Sequence, residues 1–155
     1  MTVLADLSQD ILDNEFDGET DIATSTAISG WLEANLGRLN SLIYTSYSGS
    51  GADLDLEAQS IHKELYLHHY YAKESRNSLR GITRSTGEIL SISDQNNSIT
   101  FVNRNEVSKV YRGLASDSQA RIDRLVAHYN IYQAEPLQVG GIEGSGWAGQ
   151  TYVGS

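Results

Sequence analysis

The chain has 155 residues, 39% of them hydrophobic, and 20 Asp and Glu against 11 Lys and Arg give a formal net charge of −9. That length suits one domain with a modest core, and the acidity argues against wrapping nucleic acid by neutralising phosphates, though DNA could still slide past such a surface. The lack of cysteine excludes disulfides, thiolate nucleophiles and Cys-ligated zinc; no apolar run approaches the ~18 residues of a membrane span, and the N-terminus lacks the basic and apolar regions of a secretory leader.

Residues 1–24 carry seven acidic side chains (Asp6, Asp10, Asp13, Glu15, Asp17, Glu19 and Asp21) and no Lys or Arg. Leu4, Leu7, Ile11 and Leu12 fall at helical spacing within this acidic arm. Two readings stand side by side: a short docked helix over 4–13, or a mobile segment.

A helix follows, capped by Ser25 or Thr26, with Ile28, Trp31, Leu32, Leu36, Leu39, Leu42 and Ile43 as its apolar stripe. It ends at the turn Ser48-Gly49-Ser50-Gly51. Leu54, Ala58, Ile61, Leu65, His68, Ala72, Ser75 and Leu79 then alternate steps of four and three. This seam predicts the longest helix of the chain, capped by Asp53 or Asp55, stopped at Gly81, and packed antiparallel to the helix before it. Ile89–Ile92 and Ser98–Val102 are short and β-branched around Asp94-Gln95-Asn96-Asn97, which predicts a hairpin near 88–103 leaning on the helices or on another chain. Asn103 and Glu106 open a short helix ending at Gly113. Ser116 and Gln119 box the start of the next, whose apolar face is Ile122, Leu125, Val126 and Tyr129.

Residues 136–155 form a glycine-rich tail, with six of the chain's 14 glycines and its one proline, Pro136. Leu137, Val139, Ile142, Trp147, Tyr152 and Val153 punctuate it, and a purely flexible linker has no use for such side chains. They are the candidate docking anchors for a partner's groove; folding back onto the chain's own domain is the alternative. The expected class is mainly α: a small helical bundle over 25–135, with an inserted β-hairpin and extended termini.

No constellation names a reaction. His62, His68 and His69 share a helix, and Glu64 and His68 stand at i,i+4, but His-Glu-x-x-His is absent and a structural role explains these histidines. Asp53, Asp55 and Glu57 lack the frame of a calcium loop, and helix capping accounts for them. The glycines match no phosphate loop or nucleophile elbow. No enzyme activity, metal or cofactor is therefore expected. Nine of the 11 basic residues fall between positions 73 and 124, against six acids there, which suits head-to-tail contact between copies or a solvated face. Tyr66, Tyr70 and Tyr71, with Arg76 and Arg80, are candidate subunit-interface residues; packing within the monomer is the alternative for the tyrosines.

The order helix, long helix, hairpin, short helix, helix and extended tail resembles the small head–tail connector, or neck adaptor, proteins of tailed phages. The stretches Ile28-Ser-Gly-Trp-Leu-Glu-Ala-Asn-Leu-Gly-Arg-Leu-Asn40 and Arg121-Ile-Asp-Arg-Leu-Val-Ala-His-Tyr-Asn-Ile-Tyr132 are similar to stretches in such virion proteins. The resemblance spans residues 26–135 and lies in layout, with no diagnostic motif; the acidic N-terminal arm has no counterpart in it. It implies a structural protein of the virion neck, assembled in the host cytoplasm. The protein would form a ring, a dodecamer, between the portal protein and a tail or terminator protein. DNA would pass nearby without sequence-specific binding. The alternatives are another virion assembly or tail-completion subunit, or a small helical ligand-binding or regulatory module.

Overall fold

The computed structural model describes residues 3–50, 52–80, 91–94, 97–100 and 104–134, with the backbone alone for 91–94 and 97–100. Five helices make up its body: α1 (Val3–Glu15), α2 (Ser25–Ala34), α3 (Leu36–Ile43), α4 (Leu56–Leu79) and α5 (Arg104–Gln133).

Of the two readings of the acidic segment, the structure takes the docked helix. Leu4, Leu7, Ile11 and Leu12 of α1, with Phe16 beyond it, are buried, and α1 packs chiefly on α2. Lys63 of α4 reaches its outer side, 2.9 Å from Glu15 and 3.3 Å from Asp10. Burial depresses the Lys63 pKa, but the two carboxylates outweigh it and leave the value raised.

The expected first helix is two. Thr24, rather than Ser25 or Thr26, caps α2 through a 3.2 Å bond from Ala27 N–H. At Asn35 the backbone leaves helical geometry (φ −106°, ψ 11°), while its side-chain amide donates to the Trp31 carbonyl at 2.8 Å. Asparagine competes in this way for helix backbone groups, which breaks the run without disturbing its apolar stripe. Tyr44 closes α3 in the left-handed region at φ 56°.

The α4 start agrees with its sequence signal, since Asp55 Oδ1 accepts from Ala58 N–H at 2.7 Å. Its expected partner and rank are corrected. The main contact of α4 is with α5, and α5 is longer, at 30 residues against 24. Cross-links run His68 to Ala115, Ser75 to Ser108, Glu64 to Ser118 and Asp55 to Tyr129, so numbers rise on one helix as they fall on the other. The pair is antiparallel, with the small side chains of Ser75, Ser108 and Ala115 buried between the axes. The expected break at Gly113 is also corrected: Gly113 and Ser116 lie exposed inside one continuous α5. A glycine costs a helix only about 1 kcal/mol, which burial of Ile122, Ala115 and Tyr129 against α4 offsets.

The mainly α class therefore holds, and the inserted β-hairpin as a component of the bundle is corrected. The body has no β layer. Ser91–Asp94 and Asn97–Thr100 face each other antiparallel, Ser91 opposite Thr100, and their backbone contacts are chiefly with one another. A ribbon of four-residue strands carries too little packing surface to act as a layer of the fold. The rest of the expected 88–103 span, Gly81 and the tail from 135 onward lie outside the described residues.

Candidate functional site

The long helix α4 turns a second face toward α1 and α2, and the candidate interface residues divide there. Tyr66 is buried, edge-on to Trp31 at 5.4 Å and to Phe16 at 6.4 Å, so it belongs to the core and leaves the interface set. Tyr70 packs edge-on against Phe16 at 4.8 Å, and Tyr71 stacks on Tyr111 of α5 at 6.4 Å. Both are half-buried. Burial, then the charge of Glu74 and the neighbouring phenols, pushes Tyr70 up to about 12. Arg76, in the last turn of α4, and Arg80, its C-cap, are exposed. The tyrosines thus link α4 to α1, α2 and α5, the packing alternative of the sequence reading, and only the arginines stand at the surface.

The histidines have structural partners. His62 is fully buried; its Nε2–H donates to the Leu32 carbonyl at 2.8 Å and its ring lies 6.2 Å from that of Trp31. Its Nδ1 has no partner among the described residues. Burial lowers its pKa, against a smaller opposing effect of the Leu32 bond. His68 donates from Nδ1 to the Ala115 carbonyl at 2.9 Å. Glu64, the other half of the i,i+4 pair, accepts from Ser118 at 2.7 Å and from Arg121 at 3.0 Å. Of the Asp53, Asp55 and Glu57 trio, Asp55 caps α4 and accepts from Tyr129 at 2.9 Å and Tyr47 at 3.1 Å. Among the described residues no three His, Asp or Glu side chains converge as a metal site.

Val110, Leu114 and Ile22 are exposed elsewhere, but the four most exposed large apolar side chains among the described residues lie at one end of the α4–α5 pair, where α3 ends, α4 begins and α5 releases the chain. Tyr44 is 86% exposed, Leu56 76%, Ile131 71% and Tyr132 87%. Two recesses flank the last turns of α5. One, of 340 Å³, lies against α4 and is half polar, with Ile61, Leu125 and Tyr132 facing Glu57, Ser60 and His128. The other, of 480 Å³, lies against α3 and is lined by Ile43, Tyr44, Asn130 and Ala134. Asn130 Nδ2 donates to the Leu42 carbonyl at 3.2 Å, but its Oδ1 is buried and has no partner among the described residues. A buried acceptor left unpaired costs about 1–3 kcal/mol. Large apolar side chains and an acceptor without a partner among the described residues thus stand together at this end.

Sequence reasoning missed this end. Ile131 and Tyr132 follow the stripe Ile122–Leu125–Tyr129 but lie off it, and Leu56 lies off the α4 seam, which was the available signal. The tail anchors Leu137, Val139, Ile142, Trp147, Tyr152 and Val153 lie outside the described residues. Comparison with family models, curated proteins and solved structures finds no match for the chain.

Proposed function

We propose that this protein is a structural assembly subunit, and that its specific form is a ring-forming connector between the portal and tail of a phage. The observation that carries the first part is the apolar end made by Tyr44, Leu56, Ile131 and Tyr132. Side chains of this size left in water favour association, at roughly 25 cal/mol per Å² of apolar area covered. The connector form rests on the resemblance of residues 26–135. Its layout is altered by the single α5 and by a body without a β layer, so the phrases at Ile28–Asn40 and Arg121–Tyr132 carry what remains of it.

Native mass measurement of the purified chain tests both parts. A ring gives a fixed multiple of the 17.0 kDa chain, twelve-fold for the connector form. A smaller closed oligomer favours the other virion-assembly reading. A monomer at every concentration, with or without portal protein, removes the ring.

A further inference from the structure

We infer that α1 and α2 form an acid-released arm, which leaves α4 as one unit about a joint at Asn35, and that the buried imidazole of His62 is the latch a proton opens. The connections of the body divide at Asn35. Before it, α1 packs chiefly on α2. After it, α3 is tied to the α4–α5 pair: Asn130 donates to the Leu42 carbonyl at 3.2 Å, and Tyr47, held by Asn40, shares Asp55 with Tyr129. Asn35 itself lies outside helical geometry, so α2 and α3 meet at a joint and not as one rod.

The polar links from the arm to α4 run from His62 to the Leu32 carbonyl and from Lys63 to Asp10 and Glu15. The Lys63 pairs are partly exposed, and such pairs contribute little. His62 is fully buried, and its Nδ1 has no partner among the described residues. The neutral ring fits that site. An imidazolium carries N–H on both nitrogens, so it would bury a charge and an unmet donor together. In the open arm both nitrogens meet water, and protonation therefore favours opening.

The neighbouring groups offer the charged ring no counter-ion. Lys63, Tyr66 and His69 flank it on α4, and α2 brings the Trp31 ring beside the Leu32 carbonyl. Asp10 and Glu15 of α1 are engaged by Lys63, and Arg38 of α3 lies near enough to bear on His69. The titratable groups by which α5 reaches α4, Arg121, Tyr129 and Tyr111, meet Glu64, Asp55 and Tyr71. Carboxylates ionise mainly below pH 5, so between pH 7.5 and pH 5 the latch responds before the Lys63 pairs do. With an ordinary imidazole value in the open form, the open population rises by up to about thirty-fold over that interval.

Hydrogen–deuterium exchange of the full-length chain at pH 7.5 and pH 5, corrected for the intrinsic rate and read by mass spectrometry, tests the arm and the latch. The α1 and α2 amides should lose at least about five-fold in protection at pH 5, and at both values should be about ten-fold less protected than the α5 amides around Ile122. His62→Gln keeps a donor for Leu32 and takes up no proton, so its α1 and α2 protection should not change with pH. His69→Gln should keep the wild-type loss, and it decides the matter if His62→Gln does not fold. Exchange of α1 and α2 at the rate of α5 would mean that the body opens as a whole, and overturns the arm. Wild-type protection that is constant with pH overturns the latch, as does an acid loss that persists in His62→Gln or vanishes in His69→Gln.

Discussion

His62 shows how much one side chain depends on its surroundings. The fully buried imidazole donates from Nε2 to Leu32, which leaves Nδ1 as an unpartnered lone pair, so the neutral ring is the form that fits. Its pKa is held below the ordinary 6.5 by burial, and an unfolded chain therefore takes up the proton first. Its contribution to stability is then complete above about pH 6.5 and is lost as the pH falls below that value toward the folded pKa. His69 is lowered too, by burial and then by the nearby cations Lys73, Arg76 and Arg38, and adds to the same trend. Urea unfolding at pH 8 and pH 5.5 should show a lower midpoint at the acidic value. His62→Gln, which retains a donor for Leu32, should reduce that difference; an undiminished difference would assign the effect to other groups.

At the scale of the element, α5 decides the architecture. The sequence signals of Asn103 to Gly113 and Ser116 to Gln119 describe two helices, yet one helix of 30 residues runs through them. Gly113 is exposed, and a methyl group added there meets nothing within 4 Å. Gly113→Ala should therefore raise stability by about 0.5–1 kcal/mol, read as a higher urea midpoint with an unchanged slope. A destabilising result would show that the chain needs a hinge at this position, as the two-helix reading requires. The contrast with Asn35 is instructive. There a side-chain bond to Trp31 gives the backbone an alternative to the helix, whereas Gly113 offers none and long-range burial on α4 prevails.

At the scale of the molecule, acidic side chains outnumber basic ones by 20 to 11, and three of the cations are tied to carboxylates among the described residues. Lys63 is paired with Asp10 and Glu15, Lys109 with Glu106 and Arg121 with Glu64. With a formal net charge of −9, long-range attraction to DNA is absent. Duplex DNA at physiological salt should not bind with submicromolar affinity in a fluorescence-anisotropy titration. Such affinity with a steep salt dependence would mean that the exposed cations of α4 and α5 override the total.

What the sequence by itself determined is local. The 3–4 spacing gave α4 its seam and the Ile28–Ile43 stripe its buried side, an aspartate at 53 or 55 gave α4 its cap, and Leu4, Leu7, Ile11 and Leu12 showed their helical spacing though not their docking, because each depends on residues within a turn or two of one another. What only the tertiary structure decided is which face meets which. The same helix offered His62, Tyr66, Tyr70 and His68 on several faces, and sequence spacing did not distinguish core from interface among them. Burial against Leu32, Trp31, Phe16 and Ala115 made that choice. It also paired α4 with α5 rather than with its predecessor, joined the two predicted helices across Gly113, and left Tyr44, Leu56, Ile131 and Tyr132 uncovered at one end. Those outcomes depend on residues up to 88 positions apart, as in the Asn130–Leu42 bond, where non-local packing outweighs local propensity.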